Sequence, residues 1–424
     1  MKVVLKYLGS DKSLAFTDQI LVSGCNFILL IYVGKNLPTT QFGLFSLAML
    51  IIYFLSNFHR AMLTRPMEML GAKDTTLGMH SRHAVVLLAN LGAAPIGIFF
   101  LIGAAVFLFN DFGIIFSGSV YLVCSFFQDT MRRYWYCTRN LELALLSDLV
   151  SYGGQTILTA IFIANYEISA EKVFLIMAMT SLGAFAIDLI IARKKKRVFI
   201  GNFSAFSIKD VLMEHWAVSK WICLSIFVIW LSAQVYPIFI SFLGPAAVAS
   251  YSACTIVLRA VNLPVQAVDN YLPLQASRVL NEFGVENLKQ HLKATVIRTA
   301  LVGLILVVLV YLLTPLLMNI IYGGIYDSSA TILRLLLPAS FFLFLGAVLG
   351  CYSYAMLDMR ASFFANLAGA IWTFTGGICL VYLYGIYGAA IAASFNAAIT
   401  AAVQAMMILV RIHAMERMQH QLAA

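Results

Sequence analysis

The chain has 424 residues, of which 62% are hydrophobic and 11% charged, and its mean hydropathy is +0.90. A soluble globular protein cannot bury that much apolar surface, so the composition indicates a membrane protein with many spans. The net charge of +9 does not indicate nucleic-acid binding, because the basic residues are dispersed at the junctions between apolar runs. We therefore expect no nucleic-acid partner.

Apolar runs long enough to cross a bilayer recur along the whole chain, since a spanning helix needs about 20 apolar residues. The sequence predicts twelve spans, at residues 13–33, 41–63, 82–109, 114–137, 142–164, 172–192, 217–242, 246–272, 294–321, 328–357, 361–384 and 387–412. Turn-forming clusters such as Gly244-Pro245 separate them. An even number of spans places both termini on one side of the membrane.

The basic residues indicate which side that is. With a cytoplasmic N-terminus, 23 of the 28 lysines and arginines lie on the cytoplasmic side or its flanks. Only Lys35 and Lys172 lie on the outer side, and Lys220, Arg259 and Arg334 lie within spans. This asymmetry favours cytoplasmic N- and C-termini.

A basic stretch divides the chain into two halves of six spans. We predict an N-terminal six-helix bundle at residues 1–192, a cytoplasmic linker at 193–216 and a C-terminal six-helix bundle at 217–424. Weak internal matches, such as Leu37-Pro38 with Leu243-Gly244, suggest a repeat. The predicted fold is therefore all-α and integral to the membrane, with two bundles related by a parallel pseudo-twofold axis.

Two segments carry a resemblance to a known family. The first runs from Thr17 to Phe27 and continues through residues 41–45, His59-Arg60-Ala61 and Arg65-Pro66-Met67. The second comprises Gln128-Asp129, Arg132-Arg133-Tyr134, Tyr136, Arg139-Asn140 and Asp148. Together they resemble the polysaccharide transporter branch of the multidrug/oligosaccharidyl-lipid/polysaccharide (MOP) exporter superfamily, which includes O-antigen and exopolysaccharide flippases. The motifs cover about the first 150 residues.

This resemblance implies two bundles around a central cavity in the bacterial inner membrane. It also implies movement of an undecaprenyl-pyrophosphate-linked glycan from the cytoplasmic to the outer leaflet. The expected partners are this glycan and membrane lipids, and a glycan polymerase complex is left open as a further partner.

The eighth predicted span shows one polar helical face. Its members follow at spacings of three or four residues, namely Ser252, Thr255, Arg259, Asn262, Gln266 and Asp269. Arg259 lies roughly 20 Å along this span, close to the bilayer midplane. A guanidinium at that depth must face water or a partner, and it suits phosphate oxygens. The alternative is a structural ion pair with a carboxylate on a neighbouring helix.

Three further cations extend this interpretation. Arg60 and Lys220 lie near the predicted inner mouth, and Arg334 lies about two turns into the tenth span. With Arg259 they would form a cationic ladder that, together with Asn262 and Gln266, binds a phosphate headgroup. Each of them has a plain alternative, because long basic side chains near a membrane boundary also reach water and fix orientation.

Carboxylates within spans are candidates for ion coupling. A carboxylate removed from water can exchange a proton during transport, and we assign this role to Asp18 and Asp269. For Asp129 we favour a pair with Arg132 or Arg133, one turn away on the same helix. The expected coupling ion is H⁺ or Na⁺, and no other cofactor is expected.

We find no sequence motif for catalysis, for nucleotide binding or for a metal site, so we expect a transporter and not an enzyme. The favoured function is alternating-access flipping of the lipid-linked oligosaccharide through a cationic cavity. One alternative is an ion-coupled drug antiporter of the same superfamily. A membrane glycan polymerase or ligase is a second alternative, although the short predicted outer connectors disfavour it.

Overall fold

The computed structural model describes residues 11–71, 76–108, 110–194, 208–261, 263–356 and 358–423. Contacts divide the chain into two compact units, Met1–Ile226 and Phe227–Ala424. The described secondary structure is helical throughout. The helices up to the middle of the chain are α1 (Asp11–Asn36), α2 (Thr39–His59), α3 (Arg65–Gly71), α4 (Thr76–Leu108), α5 (Phe112–Cys137), α6 (Leu141–Asp148), α7 (Gly154–Asn165), α8 (Ala170–Lys194) and α9 (Ile208–Ala233).

The remaining helices belong to the second unit. They are α10 (Tyr236–Ser241), α11 (Pro245–Val261), α12 (Leu263–Tyr322), α13 (Ala330–Ala355), α14 (Met359–Trp372) and α15 (Ile378–Ala423). A short 3₁₀ helix, Asp327–Ser329, precedes α13.

Nine helical stretches among the described residues are long and apolar enough to cross a membrane, or ten if the bent α9 counts as one span. One stretch, Arg360–Arg417, has 58 residues. As one straight helix it would be roughly 87 Å long, which is more than twice the thickness of the bilayer's hydrocarbon core. It is interrupted at Gly385, whose φ of 58° is outside the helical range, so it comprises two spans. With the shorter apolar α11, helices occupy all twelve predicted positions. The predicted all-α membrane fold is confirmed.

The eighth predicted span, 246–272, is divided between two helices in the structure. The structure describes α11 up to Val261 and α12 from Leu263, and residue 262 lies outside the described residues. Pro264 cannot donate a backbone hydrogen bond to the preceding turn, but it is well placed in the first turn of a new helix. Further along, Gly284 has a φ of 81° and interrupts α12 again.

Three π-helical turns lie inside the spans, at Arg60–Thr64, Leu149–Gly153 and Thr373–Gly377. A π turn inserts one residue relative to α-helical spacing and therefore rotates the side chains that follow it. The first π turn begins at a predicted site residue, Arg60, and the second directly follows Asp148. The second and third lie in the fifth span of their respective halves.

Each unit has its own apolar core. In the first unit, Met131, Tyr134 and Trp135 of α5 are fully buried among residues of the neighbouring helices. In the second, Tyr352 of α13 and Ile408 of α15 are buried in a cluster with residues of α12. α5 therefore runs through the centre of its unit, and every polar side chain on it must find a partner inside the bundle.

Candidate functional site

A buried arginine on α5 joins two carboxylates from other helices. Arg132 Nη2 lies 2.9 Å from Asp18 Oδ2 of α1, and Arg132 Nε lies 2.5 Å from Asp148 Oδ2 of α6. All three side chains are at most 8% exposed. A buried charge is tolerated only when opposite charges and hydrogen bonds surround it, and here three helices supply them.

Two neutral side chains of α5 complete the cluster. Gln128 Nε2 donates to Asp148 Oδ1 at 3.2 Å, and the hydroxyl of Tyr136 donates to Asp18 Oδ2. Gln128, Arg132 and Tyr136 are spaced by four residues, so one face of α5 carries the whole donor set. We refer to Asp18, Gln128, Arg132, Tyr136 and Asp148 as the α5 charge cluster.

The α5 charge cluster contains two carboxylates and one guanidinium. Asp18 and Asp148 are also close enough for a hydrogen bond between them if one carboxyl is protonated. A proton or a monovalent cation would therefore neutralise the cluster, because two ionised carboxylates leave one negative charge uncompensated in a buried site.

A second chain of ion pairs lies beside this cluster. Arg60 Nη2 is 3.1 Å from Asp129 Oδ1, and Arg133 lies between Asp129, at 3.6 Å, and Glu68, at 3.0 Å. The Arg133–Asp129 contact confirms the predicted pairing one turn apart on α5. The side chain of Arg60 is 31% exposed, but it forms an ion pair with Asp129 and is therefore not an isolated cation in this unit.

The sequence did not indicate the contact between Asp18 and Arg132. Asp18 has no basic partner within its own helix, and its partner Arg132 follows 114 residues later. The resemblance segments contained Asp18, Arg132 and Asp148, but nothing in their spacing indicated that the three meet.

Asp188, another buried carboxylate, accepts hydrogen bonds from Trp135 Nε1 at 2.9 Å and Ser147 Oγ at 2.7 Å.

In the second unit, Arg259 and Arg334 each follow a member of one contact between α11 and α13 by the same number of residues. Cys254 Sγ of α11 donates to the carbonyl oxygen of Ser329 at 3.4 Å. Arg259 follows Cys254 by five residues, and Arg334 follows Ser329 by five. α12, which is interrupted at Gly284, connects α11 to α13. Arg259 and Arg334 therefore lie equally far, in residues, beyond this contact.

The surroundings of these two arginines differ. The guanidinium of Arg334 lies over the ring of Tyr311, 4.9 Å from its centroid, which is a cation–π contact. Its Nε is buried and has no hydrogen-bond partner among the described residues. Arg259 is exposed at the end of α11.

A narrow cavity of about 10 Å³ lies close to the end of α11. Apart from Ser340 its lining is apolar, and it comprises Val261, Gly303, Leu306, Val307, Ser340, Phe341 and Phe344. The hydroxyl of Ser340 has no hydrogen-bond partner among the described residues.

The other predicted site residues are placed separately. Lys220 is exposed on α9 in the first unit. Gln266 and Asp269 lie in the first turns of α12, and Asn262 lies outside the described residues. The cationic ladder therefore draws Arg60 and Lys220 from one unit and Arg259 and Arg334 from the other, and it stays a prediction.

Two histidines of α4, three residues apart, both contact Tyr134 in the first unit. His80 Nδ1 is 2.7 Å from the hydroxyl of Tyr134, and His83 stacks on the ring of Tyr134 at 4.0 Å. Within the described ranges there is no group of three or more metal-ligating side chains.

Comparison with known proteins gives structural matches but no sequence match. No protein-family model matches the chain, and no curated protein matches it. An inward-facing multidrug resistance MATE family transporter of the MOP superfamily matches with a TM-score of 0.71 at 15% identity, over 94% of this chain and 96% of that chain. The lipid II flippase MurJ in an inward closed conformation matches with a TM-score of 0.68 at 14% identity, over 94% and 87%.

A third match is a MOP superfamily transporter from Pyrococcus furiosus, described as having a binding pocket of reversed polarity that suggests a different function. Its TM-score is 0.62 at 15% identity, and the match covers 94% of both chains. All three are transporters or flippases and none is an enzyme. At these identities the similarity establishes architecture. This chain is a multi-pass membrane protein with the fold of the MOP superfamily transporters.

Proposed function

We propose that the protein flips an undecaprenyl-pyrophosphate-linked oligosaccharide from the cytoplasmic to the outer leaflet of the bacterial inner membrane by alternating access. The observation that carries this proposal is the contact between Cys254 and Ser329, because Arg259 and Arg334 each follow one member of it by five residues on neighbouring helices of the second unit. Guanidinium groups donate in a planar fork that matches phosphate oxygens, and they stay charged at every relevant pH. Two of them on neighbouring helices suit a diphosphate better than a neutral or cationic cargo.

The positions of the acidic residues support the same proposal. The described carboxylates of the second unit lie at helix ends or helix interruptions, namely Glu282, Glu286, Asp327, Asp358 and Glu416. A lipid-linked diphosphate therefore meets positive charge at Arg259 and Arg334. The shared fold with a lipid II flippase is consistent with a lipid-linked cargo. Asn262 and Gln266 remain proposed hydrogen-bond partners of the headgroup.

Flipping can be measured directly with purified protein in liposomes. The probe is a polyprenyl-pyrophosphate oligosaccharide with a fluorophore on the glycan, and a membrane-impermeant quencher reports which leaflet holds it. We expect Arg259→Gln and Arg334→Gln each to slow flipping about tenfold or more, since a charge-assisted hydrogen bond contributes about 1.5–3 kcal/mol. Arg278→Gln removes an exposed arginine of α12 and is the matched control, with flipping near the wild-type rate.

Unchanged flipping in both Arg259→Gln and Arg334→Gln would contradict the proposed headgroup site. In cells, deletion of the gene should leave the unflipped lipid-linked oligosaccharide on the cytoplasmic leaflet, where mass spectrometry of the extracted lipid identifies the glycan. Co-purification with a glycan polymerase would test the proposed complex.

The first unit favours an ion-coupled mechanism, which fits either this function or drug antiport. Its ion-pair network holds four carboxylates, Asp18, Glu68, Asp129 and Asp148, against Arg60, Arg132 and Arg133. An acidic excess of one charge provides a place for H⁺ or Na⁺, with Asp18 as the proposed coupling residue and Asp269 as a second. Efflux of a cationic dye from the same liposomes, with no flipping of the labelled lipid, would favour the antiporter.

A further inference from the structure

The start of α9 carries an exposed face that is unlike the surface of an ordinary cytoplasmic linker. Residues Ile208–Lys220 form a helix that is bent by 42° relative to Ile222–Ala233. Its exposed side combines Leu212, Met213 and Trp216, which are 38%, 60% and 56% exposed. A soluble surface rarely exposes a contiguous apolar stripe that contains a tryptophan.

Two lysines flank this stripe on the same side of the helix. Counting from Lys209, the other members Leu212, Met213, Trp216 and Lys220 follow at plus 3, 4, 7 and 11, which is one face of an α-helix. Both lysines are exposed. Ile208, Lys209, Leu212, Met213 and Trp216 together form one open, shallow surface. We call this set, with Lys220, the α9 face.

The opposite side of the helix is fixed to the first unit. Val211, His215 and Ser219 are at most 1% exposed. Arg82 of α4, whose side chain is 3% exposed, contacts Glu214 with a distance of 3.0 Å between Nη1 and Oε2. This ion pair therefore joins the start of α9 to α4.

The charges of this segment, counted together with Arg82, leave one positive charge in excess. Lys209, Lys220 and Arg82 are set against Asp210 and Glu214, and Glu214 is paired with Arg82. An amphipathic helix with lysines beside an apolar and aromatic stripe matches the boundary between acyl chains and anionic headgroups.

The geometry points to a binding surface for anionic phospholipid on the α9 face. Leu212, Met213 and Trp216 lie among the upper acyl carbons, and Lys209 and Lys220 contact lipid phosphates on the side of the membrane predicted to be cytoplasmic. The Arg82–Glu214 pair then ties the bound lipid to α4, the third span. Lys220 is also a member of the predicted cationic ladder, but the α9 face shares no residue with the pair Arg259 and Arg334 and does not depend on which cargo the protein carries.

Tryptophan quenching by brominated lipids tests this surface in the full-length protein. The protein is reconstituted in vesicles of seven parts phosphatidylcholine to three parts phosphatidylglycerol. The bromine is placed on the acyl chains of either the phosphatidylglycerol or an equal mole fraction of the phosphatidylcholine. Since the chain has five tryptophans, the difference between wild type and Trp216→Phe isolates the signal of Trp216.

We expect the Trp216 signal to be quenched about two- to fivefold more by brominated phosphatidylglycerol than by brominated phosphatidylcholine. In Lys209→Gln/Lys220→Gln this preference should disappear, because each lysine near an anionic surface contributes about a fivefold bias. Lys172→Gln, which removes an exposed lysine at the start of α8, is the matched control and should keep the preference. Gel filtration of every variant verifies that it folds.

Equal quenching by both lipids would overturn the proposal, since it would show acyl contact without recognition of charge. Absence of quenching by either lipid would also overturn it, because the α9 face would then be covered by protein or water. Neither result would affect the flipping assay with Arg259 and Arg334 variants, so the two proposals fail independently.

Discussion

Arg132 Nε and Asp148 Oδ2 lie 2.5 Å apart in a site where the carboxylate is fully buried. The same guanidinium also reaches Asp18. One arginine therefore compensates two carboxylates from helices that are distant in the sequence. We expect this contact to stabilise the first unit, and we propose that the site holds an additional positive charge.

Removal of that arginine should strongly destabilise the protein. Arg132→Gln leaves two buried carboxylates without a cation, and breaking such a pair costs about 3–5 kcal/mol. We expect the apparent melting temperature in detergent to fall by about 5 °C or more. Arg193→Gln removes an exposed arginine at the end of α8 and should melt close to wild type.

Second-site rescue distinguishes a charge effect from lost packing. Arg132→Gln/Asp148→Asn removes one buried negative charge together with the guanidinium, and it should recover part of the lost melting temperature. A double variant less stable than Arg132→Gln would show that the pairing does not control stability.

Asp18→Asn tests the coupling role of the α5 charge cluster. The amide keeps the side-chain volume but cannot exchange a proton, so a pH gradient should no longer accelerate flipping in liposomes. Flipping without a gradient should persist at a measurable rate. Asp210→Asn, an exposed carboxylate on α9, is the control and should retain the response to the gradient. If the gradient drives Asp18→Asn as well as wild type, Asp18 does not couple transport to protons.

The ring beneath Arg334 provides a graded test of the headgroup site. Tyr311→Phe keeps an aromatic face under the guanidinium and should flip at nearly the wild-type rate. Tyr311→Leu removes the cation–π contact, which contributes about 0.5–2 kcal/mol, and should slow flipping about two- to twentyfold. Similar rates for the Phe and Leu variants would show that the ring does not position Arg334.

Gly369 of α14 tests the packing of the second unit. A Cβ at this position would lie 2.5 Å from Ser232 Oγ, 2.6 Å from Thr400 Oγ1 and 3.2 Å from Asn396 Nδ2. Gly369→Ala should therefore lower stability by about 1–3 kcal/mol, the usual cost of overpacking, and reduce the melting temperature.

Gly183→Ala of α8 is the matched control for this substitution, because no atom lies within 4 Å of its added Cβ. Alanine favours helix over glycine by about 1 kcal/mol, so this variant should be as stable as wild type or more stable. Equal melting temperatures for the Gly369 and Gly183 variants would contradict the predicted clash.

The sequence predicted the membrane class, the positions of the twelve helical segments and the Asp129–Arg133 pair, because hydropathy and helical spacing are local properties. It did not predict that Asp18, Arg132 and Asp148 meet. That contact depends on how α1, α5 and α6 pack, and no short-range pattern records it. The π turn at Arg60 was equally invisible, since it changes the register by one residue without a marker such as proline.

The placement of Arg259 and Arg334 shows the same limit. The sequence predicts how far each arginine lies from the start of its own helix, but it does not reveal how far one helix is shifted along its neighbour. The Cys254–Ser329 contact supplies that shift.

The polar contacts inside the second unit are of a different kind from those of the first. Asn396 Nδ2 donates toward the carbonyl oxygens of Ser232 and Gly369 at 2.6 and 2.8 Å and toward Thr373 Oγ1 at 2.8 Å, and the described members of this group are all neutral. A transmembrane voltage acts on charge, at about 2.3 kcal/mol per elementary charge per 100 mV. It therefore exerts no direct force on this amide, whereas it acts on a charge entering or leaving the site of Arg132. Any electrical sensitivity of the cycle that arises from these two clusters should originate in the N-terminal half.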